Sequence, residues 1–194
     1  METKGEIRKK ILNIRNNMTN QNVLEKSRII VDNLKSRKEY EESESVFIYM
    51  DFKNEVRTFD FIKEMIDKKK RVIIPYTDVK NTIIVPAEIK DIDRDLKVSP
   101  FGYLEPKKEK IIPVDPVEFD LIIVPGVTFD KKLNRIGFGK GYYDRILVKK
   151  RNDVKAIAIA YEFQILDEIP SEEHDIKMDM IITEENVYEK YWNN

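Results

Sequence analysis

The residues whose types and spacing best suit chemistry form a glycine-rich segment in the second half of the chain. Gly137, Gly139 and Gly141 occupy alternate positions, Lys140 lies between the last two, and Asp144 follows. Glycine permits backbone conformations that are closed to other residues, so successive N–H groups can point into one concavity. Such a concavity beside a cation and before a helix start suits a phosphate group. A carboxylate within reach could bind magnesium carried by that phosphate.

The segment differs from the two best-known phosphate-binding motifs. A dinucleotide fingerprint requires glycine where this chain has Tyr142, and a Walker loop requires serine or threonine where it has Gly141. Three glycines alone are about equally typical of a plain turn between a strand and a helix. Arg135, Lys140 and Asp144 favour the phosphate site, because bound phosphate needs cationic partners and its metal needs a carboxylate.

Hydrophobic patterning predicts the elements that must position this segment. The apolar run at 120–125 predicts a strand buried on both faces, and a helix ends near Leu147. Other strands are predicted at 46–50, 71–75, 82–89, 154–161 and 179–183, and helices at 2–17, after Thr19 and at 58–69. Strands that alternate with helices predict a three-layer α/β fold with a mainly parallel, mixed central sheet, formed by residues 1–194 as one domain. The loop after the first strand then lies at the same sheet edge as the glycine segment.

Composition limits the classes of partner. The 194 residues include 35 basic and 36 acidic side chains, and the net charge of −1 does not favour nucleic acid or an anionic membrane. The chain contains no cysteine, which excludes disulfides and thiolate chemistry. The amino terminus is charged and the apolar runs are too short to span a bilayer. We therefore expect a cytoplasmic monomer that acts on small molecules.

The run from Arg135 to Asp144, preceded by Pro125-Gly126 and Phe129-Asp130, closely resembles the signature of the 5-formyltetrahydrofolate cyclo-ligase family, also called methenyltetrahydrofolate synthetases. The resemblance implies that the glycine segment binds ATP and that Arg135 and Lys140 assist catalysis. By position, the residues that it implies for ATP binding are Lys4, Arg8, Arg135, Gly137, Phe138, Gly139, Lys140, Gly141, Tyr142 and Tyr143. Composition alone favours a solvated helix face for Lys4, Arg8 and Arg15.

The resemblance also implies sites for a reduced folate and for Mg²⁺. The folate contacts that it implies are Met50, Glu55, Phe101, Tyr142 and Tyr143, and the magnesium ligands are Asp144 and Asp175. A carboxylate such as Glu55 could accept two hydrogen bonds from the amino-amide edge of a pterin, although the sequence alone favours an exposed loop glutamate. Ordinary packing is slightly favoured for Phe101. His174, the only histidine, is interpreted as a solvated loop residue.

Two positions depart from the family pattern. The family often has glycine where this chain has Leu133, and we expect Asn134, which tolerates left-handed backbone geometry, to maintain the turn. Arg57 replaces an acidic residue that is frequent between the folate-binding glutamate and the following threonine. This replacement changes the charge expected beside the pterin.

The implied reaction is the ATP-driven cyclisation of 5-formyltetrahydrofolate to 5,10-methenyltetrahydrofolate, with release of ADP and phosphate. Two alternatives fit the residues without the resemblance. One is an isomerase or acyl-CoA transferase of similar layout that binds a phosphorylated metabolite and recruits Glu55 as its carboxylate. The other is a non-catalytic nucleotide- or folate-binding module. Arg135, Lys140, Asp144 and Asp175 together argue against the module, because binding alone does not require a metal pair.

Overall fold

The structure is a computed structural model that describes residues 2–172 and 175–190, so that His174 lies outside the described residues. The α-helices are α1 (Lys4–Asn16), α2 (Asn20–Lys35), α3 (Lys38–Glu41), α4 (Phe59–Asp67), α5 (Ile92–Asp95) and α6 (Tyr142–Leu147). Short 3₁₀ helices cover Lys108–Lys110, Pro116–Glu118 and Glu162–Gln164. None of the helices in these ranges is long and apolar enough to cross a membrane.

The strands form one large sheet and two small ones. They are β1 (Ser45–Ile48), β2 (Arg71–Asp78), β3 (Ile83–Ile89), β4 (Leu96–Val98), β5 (Leu104–Pro106), β6 (Leu121–Val124), β7 (Thr128–Asp130), β8 (Arg135–Ile136), β9 (Lys155–Ile159), β10 (Ile165–Leu166), β11 (Met180–Ile182) and β12 (Val187–Glu189). The large sheet has the order β12-β11-β9-β6-β1-β2-β3. Its five inner strands are parallel, and β3 and β12 are antiparallel at the edges.

The strand order places the site. The chain runs from β1 to β2 on one side of β1 and later returns to β6 on the other side, so the crevice between the carboxyl ends of β1 and β6 is a topological switch point. The predicted mixed, mainly parallel sheet is confirmed, and β3, which contains Pro86, lies at the sheet edge, where proline is tolerated.

Alternate residues of the buried strands face two different layers. Ile48, Ile123 and Ile159 belong to a core cluster with α2 and α4 on one face. Phe47 and Ile122 belong to a second cluster on the other face, with α6. The sheet is therefore covered by helices on both faces, which confirms the three-layer α/β prediction.

The β7–β8 hairpin carries the glycine segment and was not predicted. Its turn contains Leu133 with a φ of 68°. We expected Asn134 to maintain the turn, but the residue in the left-handed conformation is Leu133. Asn134 instead donates its backbone and side-chain N–H groups to the Asp130 carboxylate, at 2.9 and 2.8 Å. The Leu133 side chain is 2% exposed, and its burial in the second core cluster compensates for the backbone strain.

Candidate active site

A cavity of about 390 Å³ adjoins the carboxyl end of β6 and has Pro125 in its wall. All ten residues predicted to bind ATP line this cavity, and so do the predicted metal ligands Asp144 and Asp175. They come from three parts of the chain that are distant in sequence: α1, the glycine segment with the adjoining α6, and the segment before β11. The fold therefore brings the predicted nucleotide and metal residues into one place.

The conformation of the glycine segment explains why it excludes side chains. Gly139 has a φ of 89°, and a Cβ atom added there would lie 3.4 Å from an Arg8 guanidinium nitrogen. A Cβ atom at Gly137 would lie 2.8 Å from Nη1 of Arg135, closer than van der Waals contact allows. Arg135 thus leaves no room for a side chain at Gly137 without moving, whereas at Gly139 the positive φ disfavours other residues.

Helix α1 supplies the cations at one side of the cavity. Thr3 caps the helix in a capping box with Glu6, so Lys4 and Arg8 lie one turn apart on the same face. Lys4 Nζ lies 2.6 Å from an oxygen of Asp175 and 2.9 Å from an oxygen of Glu172. Burial is the largest single influence on the pKa of Lys4 and lowers it, but the bonds to the two carboxylates outweigh it and raise the pKa.

Arg8, the second cation of α1, holds the glycine segment in place. Arg8 Nε donates to the Gly137 carbonyl oxygen at 2.8 Å. Arg8 therefore holds the backbone of the segment through a charge-assisted hydrogen bond, while its remaining N–H groups lie beside Gly139. The interpretation of Lys4 and Arg8 as a merely solvated face is wrong, because both side chains contact residues on the far side of the cavity.

Arg135 and Asp144 form an ion pair across the glycine segment. Arg135 Nη2 donates to Asp144 Oδ1 at 2.8 Å, and the Arg135 side chain is 6% exposed. Its Nε is buried without a hydrogen-bond partner, and the guanidinium carbon lies 5.9 Å from the Tyr143 ring centroid. A buried guanidinium with a free N–H can accept an anionic ligand without losing the contacts that orient it.

The two carboxylates fit a magnesium ion that is shared with phosphates. No cluster of three or more acidic, histidine or cysteine side chains suitable for a metal occurs among the residues that the structure describes. Magnesium commonly takes one or two carboxylates and completes its shell with phosphates and water. Asp144 and Asp175 on the walls of one cavity, beside the glycine segment, match that mode of binding.

Lys140 is exposed and lines the same cavity. Its backbone carbonyl accepts a hydrogen bond from Arg145 at 3.3 Å, and the same Arg145 nitrogen donates to the Thr82 carbonyl at 2.9 Å. Arg145 thereby braces the glycine segment against the tip of the β2–β3 hairpin. The Lys140 side chain remains in contact with solvent, where an incoming anion would meet it first.

Glu55 is buried, which corrects the expectation of an exposed loop glutamate. Its side chain is 10% exposed, one oxygen accepts from the Phe52 N–H at 3.0 Å, and the other lies 3.8 Å from Nη1 of Arg15. Burial raises the pKa of Glu55 to about 7, against the opposing effect of Arg15. The residues around it, among them Pro125 and Ile159, come from distant parts of the chain, and its own sequence neighbourhood does not reveal them.

The cavity beside Glu55 measures about 10 Å³, roughly the space of one water molecule. Its lining includes Tyr49, Pro125 and Gly126, so Pro125 separates it from the larger cavity. Tyr143 also connects the two regions, because its hydroxyl is buried without a hydrogen-bond partner and the Glu55 charge, after burial, raises its pKa strongly. Glu55 and the glycine segment are therefore neighbours, but Glu55 is closed off in this structure.

The other predicted folate contacts divide between two places. Tyr142 and Tyr143 line the larger cavity, whereas Met50 and Phe101 do not. Met50 is 8% exposed and directly precedes the loop that carries Glu55. Phe101 is 61% exposed and stacks on Tyr103 at 6.2 Å between ring centroids, and Tyr103 meets Phe52 edge to face at 5.7 Å. Phe101 therefore does not have the ordinary core packing that the sequence favoured. Phe52 links the Phe101 loop to the loop of Glu55.

Arg57, the departure beside Glu55, has local partners. It donates to an Asp51 oxygen at 2.9 Å and to the Lys53 carbonyl at 2.7 Å. The other Asp51 oxygen accepts from the N–H groups of Thr58 and Phe59, at 2.9 and 3.0 Å, and so caps α4. The loop after β1 is thus held by a buried carboxylate that our reading of the sequence missed.

Arg15 is the functional candidate that our sequence reasoning missed most clearly. Its side chain is 4% exposed, which contradicts a solvated face. A signal was present, because Ile7 and Ile11 are the buried residues of α1 and Arg15 continues their four-residue spacing. An arginine at a position of the apolar stripe indicates a buried cation with a specific partner.

A parallel sheet with a cationic, glycine-lined cavity at its carboxyl edge defines an α/β protein suited to anionic small molecules. The chain belongs to the 5-formyltetrahydrofolate cyclo-ligase family, whose sequence model matches residues 1–184. This match confirms the predicted family and its enzyme class, a ligase of folate metabolism, and favours it over the isomerase, transferase and binding-module alternatives.

Individual relatives agree over most of the chain. A 5-formyltetrahydrofolate cyclo-ligase of Haemophilus influenzae is 27% identical over 91% of this chain and 95% of its own length. The solution structure of Aquifex aeolicus 5,10-methenyltetrahydrofolate synthetase superposes with a TM-score of 0.83 and 35% identity, covering 96% of this chain and 92% of that one. The Mycoplasma pneumoniae synthetase gives 0.75 and 25% identity, with 94% and 99% covered.

Proposed function

We propose that this protein cyclises 5-formyltetrahydrofolate to 5,10-methenyltetrahydrofolate in a reaction that requires ATP and Mg²⁺ and releases ADP and phosphate. The observation that supports this best is the single cavity of about 390 Å³ that contains the glycine segment and both predicted metal ligands. Tyr143 and Pro125 join that cavity to the surroundings of Glu55. A nucleotide and a folate bound at these two places would be adjacent.

The reaction needs ATP because a formyl amide is a weak electrophile with a poor leaving group. Transfer of the γ-phosphoryl group to the formyl oxygen breaks the bond to ADP and creates an activated carbon. The neighbouring folate amine then attacks that carbon, loses its proton, and phosphate departs with the former formyl oxygen. Such a transfer requires alignment and charge neutralisation more than a protein nucleophile.

The residues of the larger cavity are suited to that task. The N–H groups from Gly137 to Gly141 would bind phosphate oxygens, and Arg135 and Lys140 would offset the charge that develops during transfer. Asp144 and Asp175 would hold Mg²⁺, which supplies a positive charge between phosphate oxygens when it is bound. Phosphates that enter the cavity would accept hydrogen bonds from the Arg135 and Lys4 groups that now donate to Asp144 and Asp175.

Glu55 would recognise the pterin through its ionised carboxylate. Its oxygens accept only one hydrogen bond among the described residues, from Phe52, so acceptor capacity remains for a planar pair of pterin N–H donors. The space beside it is too small for a pterin ring, so the loop from Asp51 to Arg57 must move when folate binds. Phe101 and Met50 flank that loop and would contact the bound folate.

The first test is the near-ultraviolet absorbance of the protein with 5-formyltetrahydrofolate, ATP and Mg²⁺. The conjugated methenyl product should accumulate only when all three are present. Parallel samples without ATP or without Mg²⁺ should remain flat. A flat trace from folded protein with the complete mixture would contradict the proposal. The cytoplasmic location, the monomeric state, the single domain and the absence of nucleic-acid or membrane partners stay predictions.

A further inference from the structure

Arg15 is a buried cation, and a purely structural role does not explain why a charge is desolvated at this position. Its side chain is 4% exposed at the third position of the apolar stripe of α1, after Ile7 and Ile11. An apolar residue there would complete the contact with the β7–β8 hairpin without desolvating a charge. A buried guanidinium needs hydrogen-bond partners for its five N–H groups. Those it has within the described residues are few.

The contacts of Arg15 point toward Glu55. Nη1 lies 3.8 Å from a Glu55 oxygen and donates a long hydrogen bond of 3.5 Å to the Gly126 carbonyl. Nε is buried and has no hydrogen-bond partner. On its other side, the guanidinium carbon lies 5.7 Å from the centroid of the Phe138 ring in the glycine segment. Arg15 therefore lies between the carboxylate and the glycine segment, with hydrogen-bonding capacity to spare.

The charged and titratable groups around Glu55 leave Arg15 as its principal buried counter-charge. Asp51 and Arg57, from its own loop, act on the carboxyl in opposite directions, and they form an ion pair with each other at 2.9 Å. Tyr49 at the end of β1 and Tyr143 in α6 face it as phenols whose pKa values are raised, first by burial and then by Glu55. Neither phenol can supply a positive charge.

We propose that Arg15 is a positioning residue for the reduced folate, which keeps the buried Glu55 carboxylate ionised so that it can accept the pterin donors. The inference rests on the proposed function of Glu55. A protonated Glu55 would present a hydroxyl donor to a pterin edge that consists of donors, and the pair would repel. Arg15 acts through the charge of Glu55 and does not touch the reacting atoms. This role explains why α1 buries the Arg15 charge, although desolvation of a charge is unfavourable.

The test is binding of 5-formyltetrahydrofolate without ATP, measured by titration calorimetry between pH 6 and pH 9. The parent protein should bind most tightly above about pH 7, where Glu55 is ionised, and lose about tenfold in affinity per pH unit below it. In Arg15→Met the whole profile should move to higher pH by roughly one to three units, because a neighbouring opposite charge shifts a pKa by that amount. Arg15→Lys, which keeps the charge, should restore most of the original profile.

A matched control is Arg71→Met. Arg71 contacts Glu88 at 2.7 Å and Glu118 at 2.9 Å at the amino end of β2, at the opposite sheet edge. This variant should retain the pH profile of the parent protein. An Arg15→Met profile that is unshifted, or that is weakened equally at every pH, would overturn the proposal, because the second result is what a merely structural role predicts.

A double variant keeps the test decisive if Arg15→Met does not fold. Glu55→Gln removes the charge on which Arg15 acts, so Glu55→Gln and Glu55→Gln with Arg15→Met should bind folate equally weakly and without pH dependence. A further loss in the double variant would contradict an action through Glu55. If the parent protein binds no reduced folate at any pH, the proposed function fails and not the role of Arg15 alone.

Discussion

The glycine-lined cavity and the surroundings of Glu55 differ in how well their charges are compensated before any ligand arrives. In the cavity, Asp144 lies 2.8 Å from a nitrogen of Arg135, and Asp175 lies 2.6 Å from Lys4. Glu55 has its cation, Arg15, only at 3.8 Å. Each carboxylate of the cavity therefore has a cation within ion-pair distance, whereas burial raises the pKa of Glu55.

The two ligands would therefore bind to regions that differ in how far their charges are compensated in the free protein. A nucleotide must replace the existing ion pairs with new ones. The net change in electrostatic free energy on binding is then small, and the arrangement of charges contributes mainly to selectivity. A folate that donates hydrogen bonds to Glu55 instead relieves a cost that the free protein carries. The folate region should thus be the less stable of the two and the more sensitive to pH.

Glu55→Gln should have the largest stabilising effect. The pKa of Glu55 is about 7 in the folded protein against an ordinary value of 4.5, so the folded state binds more protons between these values and stability falls as pH rises through that window. Above pH 7 the full cost is present, and its removal should stabilise the protein by up to about 3 kcal/mol. Thermal unfolding at pH 4 and pH 8 measures this.

The gain should be absent near pH 4, where the carboxyl is protonated in both the folded and unfolded states. Glu162→Gln offers a comparison, since the Glu162 carboxylate accepts hydrogen bonds from Thr183, Tyr188 and Asn186. Loss of that compensated carboxylate should destabilise the protein. A Glu55→Gln variant less stable than the parent protein at pH 8 would reverse the contrast between the two regions.

Lys140→Ala should weaken the use of ATP by about 1.5 to 3 kcal/mol, because it removes one charge-assisted contact to phosphate. The side chain is exposed, so the folding stability should change little. Steady-state kinetics in ATP at saturating folate measure the effect. Lys149→Ala is the control, since Lys149 is also exposed but does not line the cavity. Equal kinetics in the two variants would remove Lys140 from the site.

The place of the glycine segment at the carboxyl edge of the sheet could be predicted because the pattern that marks it is local. Gly137, Gly139 and Gly141 with Lys140 and Asp144 lie within eight consecutive positions, and the backbone freedom of glycine is a property of the residue itself. The parallel sheet was equally accessible, because strand and helix patterns alternate along the chain. The resemblance then linked Lys4 and Asp175 to that region, although 171 positions separate them.

The state of Glu55 could not be predicted in the same way. Its burial depends on Arg15, Tyr49 and Gly126, which come from three separate segments of the chain, and no pattern within the 51–58 loop indicates them. The sequence favoured an exposed residue because most loop glutamates are exposed. The β7–β8 turn was missed for a related reason, since Leu133 adopts a left-handed conformation only because tertiary burial of its side chain offsets the cost.

Leu133→Gly should destabilise the protein by about 2 kcal/mol, although glycine is the residue that the backbone prefers there. Relief of the left-handed conformation returns about 1 to 2 kcal/mol, but loss of a buried leucine side chain costs about 2 to 5 kcal/mol. Leu133→Ala should be less stable still, because alanine loses the side chain and keeps the strain. Urea unfolding ranks the three proteins. A glycine variant more stable than the parent would show that the strain dominates.

Asp144→Asn should have only a small effect on the stability of the folded protein, and it tests whether the compensated region binds metal. The Asp144 side chain is 39% exposed, so loss of its ion pair with Arg135 should change stability by at most about 1 kcal/mol. If Asp144 is a metal ligand, the variant should need roughly tenfold more Mg²⁺ for half-maximal activity. Asp167→Asn is the control, because Asp167 pairs with Lys131 at 2.7 Å and does not line the cavity. A magnesium dependence equal to that of the parent protein would leave Asp144 as the partner of Arg135 alone, and the charge compensation in this region would then serve the arginine and not the metal.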